Sequence, residues 1–532
     1  VLSNISKNVG IVIVGSIEPK GSGYHISIKG VGPGNDGEVK YTIEDDADNK
    51  GAVLQTVGTM AGQVRKALGD TAAPAPSDAF TAATLEAASA YAQAQQLQAA
   101  GRREEAIAKY EAAIALDKDF GRAYSGLGAQ YEALGRREDA EKAYQEALAR
   151  LDRMTDRERL RTRGMYYMFA HKSDQAAKEL TDLIKAYPYD TTGLANLALA
   201  SFYLRNFPQA LEIGQKVSTL QPSNVGRRQN LALYSMYAGQ FETAIKESDE
   251  TIKLNPSAFK AMVARALSEL ALGRPQDAIK TYQALSPISA DGASFAAAGL
   301  ADVAAYEGRY ADAIAALDTG IAGDLSRKNA TRAAAKRVTR ADIRIISGDL
   351  AGGLKDLQAA LAETNDHTVR SAAGLVFARA GRKEAEPIAA SLEGRLENDF
   401  QAYGKLIRAE LLLAQKQPRP AVDLTIEAEK IADVWLGRVI RGRALIELEA
   451  YPDAYSQLEA AVKRQGEATA QFLDDVPSYR MFPPVQYYMG RAQEGLRSPA
   501  AAQSYKAFLA TLKNQDAPLA ADARMRLAKL GS

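Results

Sequence analysis

A chain of 532 residues with 46% hydrophobic content can bury an extended core, and its 7% aromatic content points to packing through small side chains. Its 66 lysines and arginines nearly cancel 65 aspartates and glutamates, leaving +1 and no electrostatic reason to expect nucleic acid or an anionic membrane as partner. The absence of cysteine excludes disulfides, thiolate metal sites and cysteine nucleophiles, and no apolar run approaches the roughly 20 residues that cross a bilayer.

Residues 1–70 read as a small α+β domain. Ile11-Val-Ile-Val14 is apolar on both faces and predicts a buried strand. Pro19-Lys-Gly-Ser-Gly23 predicts a turn, after which Tyr24, Ile26 and Ile28 alternate with polar residues as in a half-buried strand. Gly32-Pro-Gly-Asn-Asp-Gly37 has the glycine spacing of a phosphate loop. It precedes the alternating strand Val39, Tyr41, Ile43 instead of a helix and contains Pro33, so it reads as a turn. Val53, Val57, Met60, Val64 and Leu68 keep helical spacing. Three strands and a helix make a small core, so further strands upstream or docking on the helices downstream is expected. Beginning at Val1 without a signal peptide reads as a processed, truncated or partial chain. Residues 71–84, with Pro74 and Pro76 among small residues, read as a linker.

From residue 85 to 532 the chain repeats. Gly101 and Gly135, Ala106 and Ala140, Tyr110 and Tyr144, and Ala113 and Ala147 are each 34 residues apart, with Tyr124, Leu127, Gly128 and Tyr131 between. Gly128 and Ala140 are small where antiparallel helices must approach closely, and Tyr131 and Tyr144 fill the space between pairs. Pro188, Pro222 and Pro256 recur at the same period where a helix must stop. Gly239, Gly273, Gly308, Gly348 and Gly381 mark turns within later pairs, and Ala421, Ala454 and Ala501 hold the close-contact position further on. About twelve pairs are predicted, with a last helix from Pro518 to Leu530 covering the open end.

This pattern resembles the tetratricopeptide repeat (TPR). The resemblance implies a mainly α fold: a right-handed TPR-like α-solenoid preceded by the α+β domain. The order of parts also resembles the C-terminal region of bacterial multidomain serine/threonine kinases and related cyclase or regulator proteins. Gly15-Ser-Ile-Glu18, Gly23-Tyr-His-Ile-Ser-Ile28, Arg65-Lys-Ala-Leu-Gly69, Thr155-Asp-Arg-Glu-Arg159 and Pro483-Pro-Val-Gln-Tyr-Tyr488 carry that likeness. It implies a sensory or scaffolding part without its kinase domain, extracytoplasmic or periplasmic, with the cytoplasm as the alternative.

No catalytic, cofactor-binding or metal-binding residues are nominated. Asp119-Phe-Gly121 spells a kinase magnesium triplet but falls at a repeat junction, where Phe120 packs between units. His25, His171 and His367 are scattered and lack ligand spacing. The nominated residues are a protein- or peptide-binding set. Asn196 and Asn230 share the sixth position of a repeat's first helix, and Phe169, Tyr203 and Tyr237 share the thirteenth. In the family these positions face the inner groove, and chaperone-binding members add lysines and an arginine that hold a terminal carboxylate. Here Ala195, Leu199 and Ala264 stand at such places and only Lys260 fits, so that clamp is not expected. The asparagines bond either neighbouring backbone or a ligand, and the aromatics form a peptide platform. Arg337, Arg340, Arg344, Arg438, Arg441 and Arg443 make later first helices basic, a solvated face or a site for acidic partners. Arg438 is expected to lie apart from the tyrosines. The predicted function is a non-catalytic protein-interaction scaffold binding a protein or peptide in its groove. The alternative is a structural subunit that self-assembles, and an enzyme with an unrecognised site is a third class.

Overall fold

The computed structural model describes residues 10–32, 37–69, 82–468, 476–514 and 517–531. Most of the expected 71–84 linker, and positions 33–36 of the glycine-rich turn, lie outside the described residues. The chain forms two compact units, Val1–Asn196 and Leu197–Ser532.

The first unit opens with an antiparallel meander of β1 (Val12–Lys20), β2 (Gly23–Val31) and β3 (Val39–Ala47). Ile17 faces Ile26, and Ile28 faces Ile43 across the ladders. The strand predicted as buried is instead exposed: Ile13 is 52% and Val14 47% accessible. Among the described residues β1 pairs with β2 alone, and α1 (Val53–Ala67) packs on β2 and β3. An apolar run therefore misreads as interior when only one neighbour covers it. The meander's core is Ile26, Ala47, Val53 and Met60, with Leu85 of the next helix packed against it. A Lys50–Glu86 ion pair adds to this docking.

Twelve helix pairs follow among the described residues. In the first unit these are α2 (Leu85–Ala99) with α3 (Arg103–Leu116), α4 (Gly121–Ala133) with α5 (Arg137–Leu148), and α6 (Asp156–Phe169) with α7 (Ser173–Ala186). Then come α8 (Thr191–Tyr203) with α9 (Phe207–Leu220), α10 (Val225–Tyr237) with α11 (Phe241–Leu254), and α12 (Phe259–Ala271) with α13 (Pro275–Leu285). Next are α14 (Ala290–Tyr306) with α15 (Tyr310–Ser326), α16 (Ala330–Ile346) with α17 (Leu350–Glu363), and α18 (His367–Arg379) with α19 (Ala385–Glu393). The last are α20 (Asn398–Ala414) with α21 (Pro418–Ile431), α22 (Trp435–Glu447) with α23 (Tyr451–Lys463), and α24 (Pro483–Gly495) with α25 (Ala501–Thr511). A final α26 (Ala520–Lys529) packs Ala520 and Ala523 into a cluster with Tyr487, Tyr505 and Phe508.

Every pair turns on one left-handed residue. In seven pairs it is glycine, as at Gly101 (φ 75°) and Gly135 (φ 73°). In the other five it is His171, Arg205, Lys416, Glu449 or Arg497, at φ between 55° and 60°. The residue after each left-handed position donates its N–H back to the helix, as Arg102 does to the Leu97 carbonyl and Asn206 to that of Ser201. This bond satisfies a carbonyl that the helix end would orphan. Tyrosines of second helices lie over glycines of first helices. A Cβ at Gly128 would stand 3.1 Å from the Tyr144 ring, and one at Gly126 or Gly299 would overlap Tyr110 or Tyr282.

The second unit returns on itself. Arg205, at the turn after α8, pairs with Asp399 of α20 at 3.0 Å. Lys513 donates its N–H to the Glu307 carbonyl at 2.9 Å and its ammonium to the Glu307 carboxylate at 2.6 Å. Between α23 and α24, the described residues 476–482 place Tyr479 and Arg480 against Asp302 of α14. Gly466 lies so close to the end of α10 that a Cβ would overlap the Met236 carbonyl oxygen.

Candidate functional site

The return of the second unit shapes an open cavity of about 830 Å³. Its walls come from the turns after α8 and α10, the start of α20, the ends of α21 and α23, and the segment after α23. Tyr203, the last residue of α8, lines it and is 48% exposed. Tyr237 also lines the cavity but is 3% exposed, stacked on Phe207 with ring centroids 5.0 Å apart.

The charged walls are internally paired. Arg205 holds Asp399. Arg438 bonds Asp433 at 2.7 Å and Glu429 at 3.0 Å. Arg464 bonds Asp433 at 2.7 Å and Glu467 at 2.6 Å. Burial pushes the Asp433 carboxyl up, but Arg438 and Arg464 outweigh it and hold the group below its ordinary value. At Glu467 burial wins and the carboxyl is raised, with Arg464 and Arg205 pulling against it. With the charges of the walls paired among themselves, the exposed Tyr203 ring is the group left to stack on a side chain.

Of the residues nominated from sequence, the structure brings Tyr203 and Tyr237 to this cavity. Asn230 is half-buried, its amide hydrogen-bonded to Tyr234 one helical turn on. In the first unit Asn196 is half-buried, and Phe169 is 3% exposed, packed 5.1 Å from Tyr144 beneath the Arg137 guanidinium. The expected separation of Arg438 from the tyrosines fails, because Arg438 lines the same cavity. Residues so distant in sequence meet only because the unit turns back, and no local pattern encodes that.

The basic face expected of later helices is also corrected. Arg337 pairs with Glu363, Arg340 with Asp318 and Asp356, Arg344 with Asp356, Arg441 with Glu429 and Arg443 with Glu410. These arginines link adjacent helices, and their partners lie about 12 to 33 positions away, where an i,i+4 reading does not look. Among the described residues no group of three or more His, Asp or Glu is placed to hold a metal ion. No helix among them is long and apolar enough to cross a membrane.

The tetratricopeptide repeat family model matches residues 91–153 and 230–293. Those stretches span parts of five of the observed pairs, and there the chain carries tetratricopeptide repeats. A tetratricopeptide repeat protein from Parabacteroides merdae is 15% identical over 55% of this chain and 99% of its own, with a TM-score of 0.37. PilF of Pseudomonas aeruginosa is 16% identical over 38% of this chain and 91% of its own, with a TM-score of 0.30. YrrB, described as a TPR protein with an unusual peptide-binding site, is 20% identical over 33% of this chain and 90% of its own, with a TM-score of 0.24. No curated protein matches the chain.

Proposed function

We propose that this tetratricopeptide-repeat chain is a non-catalytic protein-interaction scaffold, and that a partner's extended segment is received at the cavity beside Tyr203. One observation carries the proposal. A large aromatic side chain, 48% exposed, lines an 830 Å³ cavity whose charged walls are already paired. Exposed aromatics over a pre-formed concavity concentrate binding energy at low entropic cost. Tyr237 backs this ring, while Asn230, and Asn196 and Phe169 in the first unit, stay in the proposal as positions of shared repeat register. Membership of a bacterial regulatory or envelope-associated assembly is the finer part of the proposal, supported by the stretches such as Pro483-Pro-Val-Gln-Tyr-Tyr488 that resemble kinase-linked repeat regions.

A photo-crosslinking amino acid at position 203 tests this in cells of the source organism, with position 280, where Lys280 is 75% exposed, as control. A heterologous protein adduct at 203 and none at 280 is expected. Adducts containing two copies of this chain would favour the self-assembling subunit, and labelling equal at both positions would overturn the assignment.

A further inference from the structure

Asp302 of α14 is fully buried, and among the described residues the hydrogen bonds to its carboxylate come from the segment before α24. The Tyr479 N–H donates to one oxygen at 2.8 Å, and the Arg480 N–H donates to the other at 3.1 Å. The Arg480 guanidinium reaches Asp302 at 3.3 Å and Asp342 of α16 at 3.4 Å. Asp342 is shared with Arg379 at 3.2 Å. The Tyr479 ring, 4% exposed, lies 6.0 Å from that of Tyr306 and is stacked on Phe482. Beside it Val338, Val369, Leu375 and Met481 line a small apolar hollow.

An isolated buried carboxylate is costly, so a chain that keeps one has a donor set to receive. Asp302 grips two consecutive backbone amides of a segment lying across α14. That contact is indifferent to side-chain identity and suits an extended peptide. Asp342 supplies the selective contact by taking a guanidinium, and the Tyr306 face takes an aromatic ring. We infer that Asp302 and Asp342 form a recognition site for an aromatic–arginine dipeptide, filled here by Tyr479–Arg480 of the same chain, and that a partner bearing this pair exchanges with it. The tether holds the chain's own dipeptide at high effective concentration, so a partner gains access only when the segment opens locally. The inference is independent of whether Tyr203 contacts a partner.

A fluorescein-labelled peptide of the sequence Ser478-Tyr-Arg-Met-Phe482 is the probe, titrated by anisotropy against the full chain. Binding should be at least about tenfold tighter to the Tyr479→Ala, Arg480→Ala double variant than to the parent, because the internal competitor is weakened. Adding Asp302→Asn should abolish that gain. Equal affinity for parent and double variant, or binding indifferent to Asp302, would overturn the proposal. Should the double variant fail to fold, hydrogen exchange on the parent decides. The Tyr479 and Arg480 amides should exchange about 100-fold or more faster than the interior of α14, by local opening. Exchange at the same rate as α14 would make the segment a fixed part of the core and overturn the inference.

Discussion

At the scale of single residues, exposure separates side chains that share a repeat position. Tyr203 and Tyr237 are equivalent in register, but only Tyr203 is exposed. Tyr203→Ala should weaken partner binding by about 2 kcal/mol with an almost unchanged melting temperature. Tyr237→Ala should lower stability by about 3–5 kcal/mol, because it empties a packed aromatic site. Calorimetry of binding and of unfolding on both variants checks the contrast. Asp302 gives a pH prediction. Burial raises its carboxyl above the ordinary 3.8, with Arg480 and two backbone amides pulling the other way. The folded chain therefore binds this proton at higher pH than the unfolded chain. Its contribution to stability grows as pH falls through the raised value and levels off below the unfolded one. Denaturant melts from pH 7 to pH 4 should show the parent gaining on Asp302→Asn as the solution is acidified.

At the scale of elements, the turns show what the sequence discloses and what it hides. The glycines at 101, 135, 239, 273, 308, 348 and 381 stand where φ is positive, and from them and the spaced prolines the helix pairs were legible. In the five other pairs His171, Arg205, Lys416, Glu449 and Arg497 adopt the same conformation with no glycine to announce it. Glu449→Gly should stabilise by about 0.5–1 kcal/mol, since it relieves a left-handed side-chain residue at an exposed turn. Gly135→Ala should cost about 1 kcal/mol from backbone conformation alone, because nothing lies within 4 Å of its missing Cβ. Ala140→Leu, by contrast, should cost about 1–3 kcal/mol through volume, since Ala140 is fully buried between helices. Chemical denaturation of the three variants separates strain from crowding. Exposure of β1 and the seating of Tyr479 were not legible. The first depends on which neighbours a strand lacks, and the second joins residues 177 positions apart through backbone amides that carry no sequence signature.

At the scale of the second unit, the return of later pairs onto earlier ones sets the energetics. Arg205 and Asp399 are 194 residues apart, and their side chains are 10% and 21% exposed. Arg205→Ala should cost on the order of 2 kcal/mol, much of it from leaving Asp399 poorly solvated and unpaired. If the contact were incidental, the variant would melt like the parent.

An open row of repeats, held only by neighbours, yields to tension one pair after another and gives a ladder of small, similar steps. The Arg205–Asp399, Asp302–Tyr479 and Glu307–Lys513 contacts put a mechanical clasp across the second unit. Stretched between its ends in an optical trap, this unit should resist until the clasp breaks and then release several pairs at once. With all three contacts weakened, by substitutions at Arg205, Asp302 and Lys513, the same pull should meet a much lower threshold, and the chain should pay out in smaller steps.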